Sequence, residues 1–261
     1  MKKILALVLV MMFALIACAS AESITFKMGI DAEYPPYSYL GDNGDYEGFD
    51  VEMCQKVCEI LNWNLEIVPI NWDTKDIQLD AGEIDCIWSG LTIYANGITE
   101  DRFTISFPYS DNSQMILTKQ GTGIESFDDL AGKIVGVQMG TSAEAALTGD
   151  GEAADLGATF GALQPYENYN IAFTELQAGA IDAIAIDAPV AKQKIDTYGD
   201  EYYCLEESYA SEKYGICFRK ADTELCQQVE DAYMQLVNDG TYIALGEKYG
   251  LDLGYLVLAA Q

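Results

Sequence analysis

Hydrophobic positions along this chain fall into short runs separated by turn residues, and the runs change period from two to 3.6 and back. Ile24 to Ile30 reads as a strand. Asp31-Ala32-Glu33-Tyr34-Pro35-Pro36-Tyr37 follows as a stiff extended loop, because proline fixes its own φ and pushes the residue before it out of the helical region. Gly48-Phe49-Asp50 then opens a helix whose apolar positions Val51, Cys54, Val57, Cys58 and Leu61 keep the helical period. A strand at Leu65 to Ile70 and a helix from about Asp73 to Ala81 complete a βαβα alternation. That order predicts a parallel-type sheet with helices on its faces.

One phrase occurs twice, as Leu79-Asp80-Ala81-Gly82-Glu83-Ile84-Asp85-Cys86-Ile87 and as Leu176-Gln177-Ala178-Gly179-Ala180-Ile181-Asp182-Ala183-Ile184, with six of nine positions identical and the second copy starting 97 residues after the first. Each copy reads as the last turn of a helix, a glycine suited to the left-handed conformation, and an Ile-Asp-x-Ile run entering a buried strand. Two copies imply two similar α/β lobes. The aspartates Asp85 and Asp182 recur in both and are read as structural. Ligands of open α/β sheets bind beyond the carboxyl ends of strands. The first copy runs there into Trp88-Ser89-Gly90-Leu91-Thr92 and the second into Ala185-Ile186-Asp187-Ala188-Pro189.

The second unit starts near Gln114 to Lys119 and continues through the capped turn Ser126 to Leu130 and the strand Ile134 to Gln138. A helix begins at Met139-Gly140-Thr141-Ser142-Ala143-Glu144. A strand at Tyr214 to Arg219 and helices at about Glu224 to Asn238 and Tyr242 to Lys248 have no sheet of their own and are expected to return to the first lobe. The organisation is therefore 1–21 leader, 22–113 lobe 1, 114–207 lobe 2 and 208–261 back to lobe 1, with two crossings forming a hinge.

The leader reading rests on Lys2 and Lys3 before an apolar run from Ile4 to Ala17, too short and wrongly flanked for a stable span. It predicts export to the periplasm or the outer face of the cytoplasmic membrane. Two processing sites are legible: Leu15-Ile16-Ala17-Cys18 has the form of a lipidation box, and Ala19-Ser20-Ala21 fits ordinary cleavage. The first strand follows almost at once, which favours the untethered form.

Without Lys2 and Lys3 the chain keeps 12 basic against 42 acidic residues, a net charge of −30. This argues against nucleic acid and anionic membranes as partners. The absence of histidine excludes Ser-His-Asp and Cys-His catalysis and histidine-based zinc sites. Six cysteines lie beyond Cys18, irregularly spaced. Cys54 and Cys58 are poorly aimed for bridging on one helix, so buried free thiols are expected. Cys204 with Cys217 is the pairing to test. No metal or cofactor is expected.

Thr92, Arg102, Thr141, Ser142 and Asp187 together hold both charge signs between the lobes, as a free amino acid requires when its carboxylate and ammonium leave water. Arginine and the backbone N–H groups after Gly140 suit the carboxylate, and Asp187 suits the ammonium.

With these motifs in order, the chain resembles the polar amino acid family of extracytoplasmic solute-binding proteins that feed ABC importers, of the type II periplasmic-binding fold. The resemblance covers essentially the whole mature chain. It is carried by Asp31 to Tyr37, Gly48-Phe49-Asp50, Trp72-Asp73, Gly90-Leu91-Thr92, Val135 to Ser142, Asp187 and Tyr214-Gly215-Ile216. It implies two lobes closing on a ligand, with Gly90, Thr92 and Ser142 on the carboxylate, Asp187 on the ammonium, and Asp31, Tyr34 and Trp72 around the side chain. The family has an arginine five residues after the position of Thr92, where this chain has Gly97. The phrase Ile98-Thr99-Glu100-Asp101-Arg102 matches the expected one after an insertion over Ile93 to Gly97, which makes Arg102 the expected carboxylate ligand. The resulting expectation is a monomeric, non-enzymatic receptor that hands a polar or cationic amino acid to a membrane permease. An exported dehydratase of prephenate-like acids on the same scaffold and a sensory ligand-binding protein are the alternatives.

Overall fold

The computed structural model describes residues 23–259. The leader and the two processing sites lie outside the described residues. Strands β1 (Thr25–Ile30), β2 (Glu33–Tyr34), β3 (Ser38–Leu40) and β4 (Tyr46–Glu47) are followed by α1 (Phe49–Leu61), β5 (Asn64–Pro69), a 3₁₀ turn at Trp72–Thr74 and α2 (Lys75–Asp80). Next come β6 (Cys86–Thr92), β7 (Phe103–Ile105), β8 (Ser110–Lys119), β9 (Ile134–Gln138), α3 (Ser142–Leu147) and α4 (Ala154–Gly157). The chain continues through β10 (Ala162–Tyr166), α5 (Tyr169–Ala178), β11 (Ala183–Asp187), α6 (Ala188–Tyr198), β12 (Tyr202–Cys204), β13 (Ala210–Arg219), α7 (Thr223–Asn238) and α8 (Thr241–Lys248).

Strand order β10-β9-β11-β8-β13-β6-β1-β5 makes one sheet with two similarly built halves. β1 pairs in parallel with β5 and β6 in the first half, and β9 with β10 and β11 in the second. The fold is thus α/β with two similar lobes. The ten-residue strands β8 and β13 join them: Ala210 to Tyr214 pair with Gln114 to Ser110, while Tyr214 to Phe218 pair with β6 and the outer part of β8 pairs with β11. These two antiparallel strands are the two crossings of the hinge. α7 and α8 pack on α1.

The repeated phrase folds the same way twice. Gly82 and Gly179 both take φ 75° after α2 and α5, where an L side chain would be strained. Asp85 accepts the Lys27 N–H at 2.9 Å and Asp182 accepts the Ile134 N–H at 2.8 Å. Each aspartate ties the entry of its own strand to the neighbouring strand, which accounts for its presence in both copies.

Cys54, Cys58, Cys86, Cys204, Cys217 and Cys226 are free thiols. The Cys204–Cys217 pairing is overturned: Cys204 lies opposite Leu117 in the second lobe and Cys217 opposite Ile87 and Ile105 in the first.

Candidate functional site

The carboxyl ends of β1, β6, β9 and β11 point into a cleft between the lobes, as the topology requires. The first lobe lines it with Asp31, Tyr34, Trp72, Lys75, Ser89 to Thr92, Asn96 and Ile98, and the second with Gln138, Gly140 to Ser142 and Asp187. Eight of the nine residues expected from the sequence thus share one cleft. The enclosed space is about 20 Å³, because the walls touch. Gln138 Nε2 donates to Asp31 Oδ2 at 2.6 Å, the Thr92 and Ser142 hydroxyls meet at 3.0 Å, and Lys75 Nζ and Asn96 Nδ2 reach the Gly140 carbonyl at 2.7 and 3.1 Å.

Asp187 ends β11 and is 4% exposed. It stands at the N-cap of α6, yet its side chain makes no cap hydrogen bond. Instead Oδ1 accepts from Asn112 Nδ2 (2.7 Å), Gln114 Nε2 (2.6 Å) and the Tyr214 hydroxyl (2.8 Å), and Oδ2 accepts from the Tyr169 hydroxyl at 3.0 Å. All four donors are neutral, so they hold the carboxylate without cancelling its charge. Burial, and then Asp187 itself, push the Tyr34 and Tyr214 phenols well above their usual range, which keeps both protonated. Tyr34 and Tyr214 hydroxyls are 2.8 Å apart.

Thr141 is the cap of α3: its Oγ1 accepts from Glu144 N at 3.2 Å and donates to the Gln138 carbonyl at 2.7 Å. Ser142 is therefore released to face Thr92. Gly90 has φ 55°, and a Cβ there would come within 2.5 Å of the Tyr34 ring. Its N–H is committed to Asp50 Oδ2 at 2.7 Å, which removes it as a donor to a ligand carboxylate. Trp72 is half-buried and both lines the cleft and packs against the Leu79–Ile84 core.

Arg102 is the expectation the structure corrects. Its guanidinium pairs with Asp76 at 2.8 Å and Asp80 at 3.0 Å, 46% exposed, outside the cleft. Both acids lie on α2 and hold the arginine on the outer surface. Among the described residues, the basic side chain that does line the cleft is Lys75, which the sequence reading did not single out. Its companions on the hinge, Asn112, Gln114, Glu212 and Tyr214, were also missed as site residues. The signal was present in the two-residue alternation Ser110, Asn112, Gln114, a polar face on a strand.

Several carboxyls here are buried without a cation. Burial raises Asp50 to about 7 against the hydrogen bonds of the Gly90 N–H and the Tyr109 hydroxyl. Burial and the neighbouring Asp187 raise Glu212, and burial raises Asp31. From the unfolded carboxyl range near pH 4 up to about 7, the folded chain therefore binds more protons than the unfolded one. Stability is lost as pH rises through that window. Thermal melts should give a Tm higher at pH 5.5 than at pH 7.5 by roughly 5 °C or more, with Asp50→Asn flattening part of the difference. A Tm that falls on acidification across this interval would contradict the assignment.

The sequence profile of the bacterial extracellular solute-binding proteins, family 3, matches residues 26–252. The chain belongs to that family. The L-cystine-binding protein TcyJ of Escherichia coli (strain K12) is 31% identical over 235 residues, covering 89% of this chain and 85% of that protein. A structure of an ancestral arginine-binding protein bound to arginine superposes with TM-score 0.78 and 31% identity, covering 86% of this chain and 97% of that one. The ancestral amino acid-binding protein AncCDT-1, a precursor of cyclohexadienyl dehydratase, superposes with TM-score 0.77 and 32% identity over 86% of this chain and 95% of that one. This solute-binding protein thus has the two-lobed architecture of periplasmic amino acid receptors, and its relatives imply export. No helix among the described residues is long and apolar enough to cross a membrane.

Proposed function

We propose that this chain captures a polar amino acid between its lobes and delivers it, as a monomer, to an ABC permease in the membrane. The observation that carries the reading is Asp187: a buried carboxylate at the lobe junction, surrounded by neutral donors, is a counter-charge for a ligand ammonium. The hydroxyls of Thr92 and Ser142 suit the carboxylate end. Asp31, with Tyr34 and Trp72 beside it, suits a cationic or hydrogen-bonding side chain through charge and cation–π attraction. The cystine and arginine named for two of the relatives are within that class, as are lysine and glutamine.

The lobe limits 22–113, 114–207 and 208–261 follow from the same reading, since β8 and β13 are the strands that carry the chain between the halves of the sheet. Ligand contacts made only with the lobes together shift the population toward closure, and a permease would recognise that form. The dehydratase alternative draws on the likeness to AncCDT-1. A dicarboxylate substrate would call for two cationic groups in the cleft, and Lys75 is the one among the described residues. That favours capture without chemistry.

Calorimetric titration of the mature protein, unfolded and refolded to strip bound ligand, with the twenty amino acids, cystine and ornithine should give saturable binding by one or a few. Micromolar affinity, about −8 kcal/mol, or better is expected. Silence across the whole panel would sink the reading.

A further inference from the structure

We propose that Lys75 binds the ligand's carboxylate, taking the place of the arginine that Arg102 was expected to supply. The assignment rests on reading the cleft as an amino acid site, and it answers a question that reading leaves open: where the positive charge comes from. Arg102 is held outside by Asp76 and Asp80, and the Gly90 N–H is turned toward Asp50. The cleft would otherwise meet a carboxylate with neutral donors alone, the hydroxyls of Thr92 and Ser142 and the backbone N–H groups after Gly140.

Lys75 is the first residue of α2 and is 7% exposed. Its Nζ donates to the carbonyls of Gly140 at 2.7 Å and Trp72 at 3.1 Å and lies 4.9 Å from the Trp72 ring centroid. An ammonium has three N–H bonds, so one remains. Carbonyls orient the charge but do not neutralise it, and a buried charge without a counter-ion is costly. The acidic groups facing it are already engaged or at its edge: Asp76 is paired with Arg102, Glu144 accepts the Gly140 N–H, and Asp73 sits on the exposed preceding turn. The remaining neighbour, the Cys217 thiol on β13, is held neutral by burial. Burial lowers the lysine to about 8, a shift that a bound carboxylate would reverse. Its contact with Gly140 also places Nζ next to the Gly140–Ser142 segment, where the Thr92 and Ser142 hydroxyls meet. A zwitterion then fits with its ammonium at Asp187 and its carboxylate between Lys75 and these hydroxyls.

The test removes the carboxylate from the ligand as well as the charge from the protein. The amino acid that binds tightest in the panel is titrated against its own α-carboxamide, argininamide for arginine for example, in wild type, Lys75→Met, Lys75→Arg and Arg102→Ala. The wild type should prefer the acid strongly. Lys75→Met should lose about 10- to 100-fold of that preference, with the amide's affinity little changed, while Lys75→Arg keeps most of it and Arg102→Ala keeps all of it. A second readout covers a poorly folded Lys75→Met: between pH 7 and 10 the acid-over-amide ratio should fall further in wild type than in Lys75→Arg, the ligand's own titration being common to both.

An unchanged ratio in folded Lys75→Met, identical pH profiles for wild type and Lys75→Arg, or loss of the preference in Arg102→Ala would each overturn the assignment while leaving the receptor reading intact. Absence of any amino acid binding by wild type would instead remove the reading on which it rests.

Discussion

Asp187→Ala is expected to weaken amino acid binding by roughly 100-fold to several thousand-fold, the largest effect of any single change in the cleft. Removing one partner of a buried ion pair costs about 3–5 kcal/mol because the other charge is left unpaired. Here the stranded group would be the ligand's ammonium. Alanine would also orphan Asn112 Nδ2, Gln114 Nε2 and the Tyr169 and Tyr214 hydroxyls, so part of the loss would come from a loosened protein. Asp187→Asn separates the two. It keeps the shape and an acceptor for some of those donors but not the charge, so affinity should fall almost as far while Tm changes little. Calorimetry and melts on both variants check this, and an asparagine variant binding like wild type would rule out Asp187 as the ammonium site.

Gly140→Ala should lower affinity by about 10- to 100-fold from outside the polar contacts. Gly140 has φ 70°, and a Cβ built there would stand 2.8 Å from Asp73 Cα and 3.3 Å from Asp73 N. These are backbone atoms of the opposite lobe and cannot rotate away. Alanine in the left-handed region adds roughly 1 kcal/mol of strain. Both penalties fall on the closed arrangement or its immediate support, and apparent affinity scales with the population able to close. Small-angle scattering should show a weaker ligand-induced contraction than in wild type. Equal contraction and equal affinity would mean that the Gly140–Asp73 approach is dispensable.

The parts of this structure legible in the sequence are those where burial is apolar. Ile134 to Gln138 is a strand with the bounds expected, and the helices at Thr223–Asn238 and Thr241–Lys248 begin one residue before the reading. The hinge was only half legible. β8 starts at Ser110 and β13 at Ala210, four residues before the expected strands in each case. The missing strand residues are Ser110-Asp111-Asn112-Ser113 and Ala210-Ser211-Glu212-Lys213, in which Ser110 and Asn112 are buried polar residues serving hydrogen bonds rather than an apolar core. Hydrophobic periodicity is blind to such a face. The same limit hid Lys75, which is buried while its Nζ donates to the Gly140 carbonyl of the other lobe. Arg102 failed for a different reason: a matching phrase suggested its role, but Asp76 and Asp80 give its charge partners outside the cleft.

Three of the four groups that hold Asp187 belong to the hinge, Asn112 and Gln114 on β8 and Tyr214 on β13. If Asp187 takes the ligand's ammonium as proposed, the axle of the molecule and its charge sensor are the same piece of material. A cation arriving there would redistribute hydrogen bonds in the two strands that join the lobes, and recognition of the constant part of an amino acid would be coupled to closure. Substitutions there would disturb grip and gait together. On that reading ligand choice is set at the far wall by Asp31 and Trp72, while Tyr34, whose hydroxyl lies 2.8 Å from that of Tyr214, is tied to the pivot.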